Sequence, residues 1–66
     1  MTNKMNNNLR EKFLRAYSNI PLSSRKEIIL VLEEGPITWE VAYLEVKNQT
    51  GKSERILNKL NELKLI

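Results

Sequence analysis

Four side chains toward the end of the chain carry groups that suit a polyanion. Lys52, Arg55, Asn58 and Lys59 recur at intervals of one to three residues. Ammonium, guanidinium and amide groups all donate to phosphate oxygens, and Arg, Asn and Lys also read base edges in a major groove. Other chemistries have less to work with. The 66 residues include no Cys and no His, so disulfides are excluded and the commonest metal ligand and general base are missing. No pair of carboxylates is set apart from ordinary surface spacing, and catalysis is not expected. Gly51-Lys52-Ser53 resembles the tail of a phosphate-binding loop, but that motif needs a glycine at position 46, which is Val46, so nucleotide binding is rejected. No cofactor and no metal are expected.

These side chains need a helix to present them. Ile56, Leu57, Leu60 and Leu63 form an apolar stripe that predicts a helix over 52–63, with Lys52, Arg55, Asn58, Lys59 and Glu62 on the opposite face. Residues 47–51 read as a turn, where Asn48 and Gly51 tolerate left-handed backbone. A helix over 38–47 precedes it. Thr38 is its N-cap, Glu40 sits in its first turn, and Val41, Ala42 and Leu44 point toward a core. Trp39 and Tyr43, four apart, share a face. They fill the core or form an exposed patch, and the patch is the candidate surface for a dimer or a protein partner.

Upstream, Leu9, Phe13, Ala16 and Tyr17 predict a helix over 9–18, with Asn7 or Asn8 as cap and Ile20-Pro21 as its end. Residues 22–34 read as a further helix. Ser24 and Glu27 have the capping-box form, and Gly35-Pro36 suits a helix end. The β-branched run at Ile28 to Leu32 also suits a strand, with Glu33-Glu34-Gly35-Pro36 as the turn of a hairpin. The expected fold class is therefore all-α, a three- to four-helix bundle ending in a helix-turn-helix. The alternative is α+β, with a hairpin at about 28–46. Residues 1–8, with three consecutive Asn, are expected to be a disordered arm in which Lys4 could touch nucleic acid, and 9–66 a single domain.

Net charge is +3, unevenly spread. Residues 1–26 hold six basic side chains and one acid, 27–45 hold five acids and no base, and 46–66 hold five bases and two acids. A basic surface built from the two ends would attract phosphate. Mixed charge of this kind is also ordinary on small proteins. No apolar run approaches the ~20 residues of a membrane span, and the N-terminus lacks the apolar core of a signal peptide, so a cytoplasmic location is expected. A chain this short buries only about 60% of its unfolded surface, which favours tight packing, a partner, or both.

Ile28-Ile29-Leu30-Val31-Leu32-Glu33-Glu34-Gly35, then Pro36-Ile37-Thr38, then Leu57-Asn58-Lys59-Leu60 and Lys64-Leu65-Ile66 together resemble the helix-turn-helix core of winged-helix regulators of the ArsR/MarR type. The resemblance covers about 40 residues at superfamily level. It implies that Thr50, Lys52, Glu54, Arg55, Asn58 and Lys59 face a DNA groove. Three features depart from the pattern. Lys47-Asn48 stands where the family prefers Gly and an aliphatic residue. Ser53 stands where Val or Ile is usual. The chain ends at Ile66, where the wing hairpin would begin, so the wing is expected to be absent. The resulting expectation is a DNA-binding protein of transcription regulation or chromosome and replication maintenance, acting on double-stranded DNA, with a homodimer as one arrangement. The alternative is an accessory protein-interaction subunit of a larger nucleoprotein or polymerase-type assembly.

Overall fold

The computed structural model describes residues 6–66, with side chains from Asn8 onward. The expectations for residues 1–5, the start of the arm and Lys4, lie outside the described residues. Helix α1 spans Asn6–Ser18, so Asn7 and Asn8, the expected caps, fall inside its first turn. A single 3-10 turn at Leu22–Ser24 follows. Strands β1 (Ile28–Leu32) and β2 (Gly35–Thr38) then form an antiparallel hairpin, followed by helices α2 (Trp39–Lys47) and α3 (Ser53–Glu62).

The protein is therefore α+β, which corrects the all-α expectation. The helix expected over 22–34 does not form. Ser24 accepts a turn hydrogen bond from the Glu27 N–H at 3.1 Å, and no side-chain hydrogen bond caps this turn. Three β-branched residues among five disfavour helix and suit a pleated surface. The sharp reversal at Glu33-Glu34 then pairs Leu32 with Gly35. The α+β alternative fits in class, with different bounds. The second strand is Gly35–Thr38, and 39–47 is helical because Thr38 caps it. The Thr38 hydroxyl accepts from the Val41 N–H at 3.1 Å.

The hairpin turn has an uncommon form. Neither Glu33 nor Glu34 has a positive φ, so it is not one of the primed turns that best match strand twist. Gly35 takes up the difference at φ 136°, a region open to glycine and strained for other residues. Pro36 fixes the hydrogen-bonding phase. It has no N–H, so Val31 and Pro36 form a non-hydrogen-bonded pair between Leu32–Gly35 and Leu30–Ile37. Their backbone groups therefore point outward along the two edges. The register shifts between Ile28 and Leu30, and this bulge turns Ile29 as well as Leu30 toward the core. The outer face carries Ile28 and Val31, 60% and 68% exposed.

The core gathers one or more residues from every regular element except the 3-10 turn: Phe13 of α1, Leu30 of β1, Ile37 of β2, Ala42 and Val46 of α2, and Ile56, Leu57 and Leu60 of α3. The α3 stripe is buried as its spacing implies, apart from Leu63, which lies beyond the helix and is half exposed. Helix α2 faces the core with a different set than expected. Ala42 and Val46 are buried with Trp39 and Tyr43 packed against them, while Val41 and Leu44 are 37% and 49% exposed.

Candidate nucleic-acid interface

The connection from α2 to α3 is built from two linked hydrogen-bonded ends. The Thr50 N–H donates to the Glu45 carbonyl at 3.1 Å and the Gln49 N–H to the Val46 carbonyl at 3.2 Å. This is the two-bond Schellman ending, which satisfies carbonyls that would otherwise be orphaned. Its left-handed position is Gln49, at φ 53°, and not Asn48 (φ −88°) or Gly51, the positions the sequence suggested. Ser53 then opens α3. Its hydroxyl donates to the Thr50 carbonyl at 2.7 Å and its N–H to the same oxygen at 3.1 Å. Helix α3 ends as α2 does, with the Leu65 N–H on the Leu60 carbonyl at 2.9 Å and Lys64 at φ 60°.

The outer face of α3 carries the five candidate side chains or lies next to them, and most are already engaged within the protein. The Thr50 hydroxyl hydrogen-bonds the Glu45 carboxylate, and the Lys52 ammonium lies 4.0 Å from the other oxygen of that carboxylate. Glu45 thereby fastens the turn from the α2 side. Arg55 pairs with Glu34 at the hairpin turn, 2.5 Å apart. Lys59 pairs with Glu62 one turn on, at 3.8 Å. Asn58 is exposed. Arg55, Asn58, Lys59 and Glu62 line, with Leu32, a shallow groove of about 300 Å³ between α3 and the hairpin. The structure thus brings Arg55, Asn58 and Lys59 together and sets Thr50 and Lys52 apart, beside Glu45.

The Arg55–Glu34 contact shifts both groups. The hydrogen bond from Arg55 holds the Glu34 carboxyl below the ordinary glutamate value, helped by hydrogen bonding to its own backbone and by the charges of Arg55 and Lys52. The same hydrogen bond raises the Arg55 guanidinium further, with the Glu34 and Glu33 charges adding to it. Both side chains are well exposed, so this pair orients Arg55 more than it stabilises the fold.

Trp39 and Tyr43, the candidate partner surface, face α1. Trp39 stacks on Phe13 with centroids 6.0 Å apart, and Tyr43 on Tyr17 at 4.5 Å with planes 8° apart. Since Phe13 meets Trp39 and Tyr17 meets Tyr43, α1 and α2 run in the same general direction along this seam. Arg25 lies over Tyr17 at 4.5 Å and Lys47 over Tyr43 at 5.9 Å. The apolar residues that α2 does expose are Val41 and Leu44.

Sequence reasoning missed Glu34, Glu45 and Leu32 as neighbours of the candidate residues. Glu45 had a findable signal, since it stands one turn before the connection and five residues before Thr50. Glu34 had none while 22–34 was read as a helix, because its contact with Arg55 depends on the hairpin folding back. Among the described residues no group of three or more His, Cys, Asp or Glu side chains is placed to hold a metal ion, and no helix is long and apolar enough to cross a membrane. No family model, curated protein or solved structure matches this chain.

Proposed function

We propose that this chain is a small nucleic-acid-binding helix-turn-helix protein that acts on double-stranded DNA, in transcription regulation or in chromosome and replication maintenance. The observation that carries this reading is the convergence of Arg55, Asn58 and Lys59 on one open groove beside α3. A guanidinium, an amide and an ammonium there match the donors and acceptors of a base edge and its flanking phosphates. The resemblance to the core of ArsR/MarR-type winged-helix regulators supports the same reading. The hairpin of this chain stands before α2, in contrast to a wing that follows the recognition helix.

The test is duplex binding measured by fluorescence anisotropy from 50 to 200 mM salt. Affinity is expected to fall steeply with salt, because each phosphate contact releases counterions. Asn58→Ala is expected to cost about 1–3 kcal/mol of discrimination between sequences and to leave the salt slope unchanged. Absence of any duplex binding at 50 mM salt would overturn the reading.

A second reading is an accessory subunit that docks on a larger nucleoprotein or polymerase-type assembly. Val41 and Leu44 favour it, as two exposed apolar side chains three apart on α2. Helix-turn-helix folds serve both ends, and fold alone does not choose between them. A large stoichiometric partner co-purifying from the native host, lost on Val41→Asp with Leu44→Asp, is the outcome this reading expects. A free monomer or homodimer would count against it.

A further inference from the structure

We infer that the main contact with the nucleic-acid backbone is made by α1, the segment after it and Lys47 at the end of α2, not by α3. The identity of the polyanion rests on the proposed function, whereas the location of the surface does not. The cations of the two regions differ in their company. On α3 and its connection, Lys52, Arg55 and Lys59 each lie within ion-pair distance of a carboxylate. Of the cations on α1 and the segment after it, Arg10, Lys12, Arg15, Arg25 and Lys26, none has a carboxylate within that distance among the described residues. The sole acid among residues 8–26 is Glu11.

Two arrangements flank α1. On one side, Lys12, Arg15 and Asn19 line a shallow groove of about 270 Å³ with Ala16 and Ile66, and the Lys12 ammonium is held by the Asn61 side-chain oxygen at 3.5 Å. On the other, Arg25, Tyr17, Tyr43 and Lys47 form one continuous stack. The Arg25 Nε and the Arg10 Nε are buried with no hydrogen-bond partner, whereas buried polar groups of a folded protein are nearly always satisfied.

The stack also indicates what is recognised. Tyr17 already bears Tyr43 and Arg25, and Tyr43 bears Tyr17 and Lys47, so the rings are engaged by protein groups and are not offered to a base. What remains available is positive charge at fixed positions. That suits phosphates of a duplex backbone and does not suit the base-stacking platforms that hold single strands. Glu27, Glu40 and Glu45 are the acids nearest in sequence to the stack. Glu45 is engaged by Thr50 and Lys52. Glu27 and Glu40 are exposed, and neither forms an ion pair with Arg25, Lys26 or Lys47 among the described residues.

The experiment compares three double variants of the full chain in duplex binding across a salt series, with circular dichroism confirming that each is folded. They are Lys12→Ala with Arg15→Ala, Arg25→Ala with Lys47→Ala, and Arg55→Ala with Asn58→Ala. The slope of log affinity against log salt is expected to fall by about 1.8 in each of the first two, from two phosphates at about 0.9 each. It is expected to change little in the third. An unchanged slope in the first two variants, or a loss confined to the third, would overturn the inference and leave the proposed function standing. If the unmodified chain binds no duplex, the proposed function fails, and the same variants are titrated with long-chain inorganic polyphosphate. Weaker polyphosphate binding by the first two variants and not the third then supports the surface. Equal binding by all three overturns it.

Discussion

At the scale of single residues, most of what is decisive concerns where the backbone takes an unusual angle and what supports it there. Gln49 and Lys64 hold the left-handed position of two helix ends, which costs a residue with a Cβ roughly 1 kcal/mol or more. Gln49→Gly and Lys64→Gly are each expected to raise stability by about 0.5–1 kcal/mol, read as a higher urea midpoint at unchanged slope. Gly35 has nothing within 4 Å of a Cβ built on it, yet stands at φ 136°. Gly35→Ala is therefore expected to destabilise by about 1–3 kcal/mol from backbone strain alone, with no clash to relieve. Thr38→Ala removes the oxygen that the Val41 N–H needs and is expected to cost about 1 kcal/mol. That cap was legible in the sequence because it depends on three adjacent positions. The left-handed residues were not, because the hydrogen bonds at the end of α2 place that angle one position after Asn48, whatever the preference of the side chain.

Glu34 gives a pH dependence of definite sign. Its carboxyl is depressed in the folded chain by the hydrogen bond from Arg55. A depressed carboxyl contributes stability that is fully present above the ordinary glutamate range and is lost as pH falls through the lower folded value. Carbon-detected titration is expected to place the Glu34 midpoint below that of an unfolded-chain glutamate. Arg55→Ala should move it back toward the ordinary value, and an unmoved midpoint would show that the pair is not formed in solution.

At the scale of elements, helix and strand were legible to different degrees. The final helix was read at 52–63 and stands at 53–62, because its apolar stripe repeats over more than two turns with a charged face opposite. The same holds for α1 and α2, within a few residues. Residues 28–32 gave no period at all. Five consecutive apolar residues fit a buried helix as well as a strand, and the deciding information is nonlocal: Leu30 meets Ile37, and the pair closes over Phe13 and α3. The capping pattern at Ser24 and Glu27 pointed toward helix and was overridden. The bulge at Ile29 explains why a strict alternation would have failed here too, since two successive side chains turn inward. Of the neighbours of the candidate residues, Glu34 followed from this one choice, as it reaches Arg55 only across the hairpin.

At the scale of the whole molecule, eight buried side chains among the described residues, from five elements, hold a 66-residue chain together. At about 0.05–0.15 kcal/mol per residue, total stability is roughly 3–10 kcal/mol. Leu60 has no exposed surface, and Leu60→Ala is expected to cost about 2–5 kcal/mol, a large share of that total, read as a lower midpoint in thermal melts. Charge is the other property of the whole chain. The sequence showed basic ends and an acidic middle, and the fold pairs three of the five cations of the C-terminal end, Lys52, Arg55 and Lys59, with carboxylates at Glu45, Glu34 and Glu62. The N-terminal cations receive no such partners among the described residues. Charge counted along the chain could not show this, because the balance depends on which segments the fold brings together.

The hairpin has two edges of different character. On β1, Val31 turns its N–H and its carbonyl outward and meets no third strand among the described residues. On β2, the outward position is Pro36, which has no N–H to give. A ribbon that can be extended on one side only behaves as a chain terminator. Copies joined by their β1 edges present nothing but β2 edges to the next arrival, so growth through this sheet stops at two. Any association through this sheet is expected to show in sedimentation at rising concentration as a single step to a dimer, abolished by Val31→Pro, with no larger species along the way.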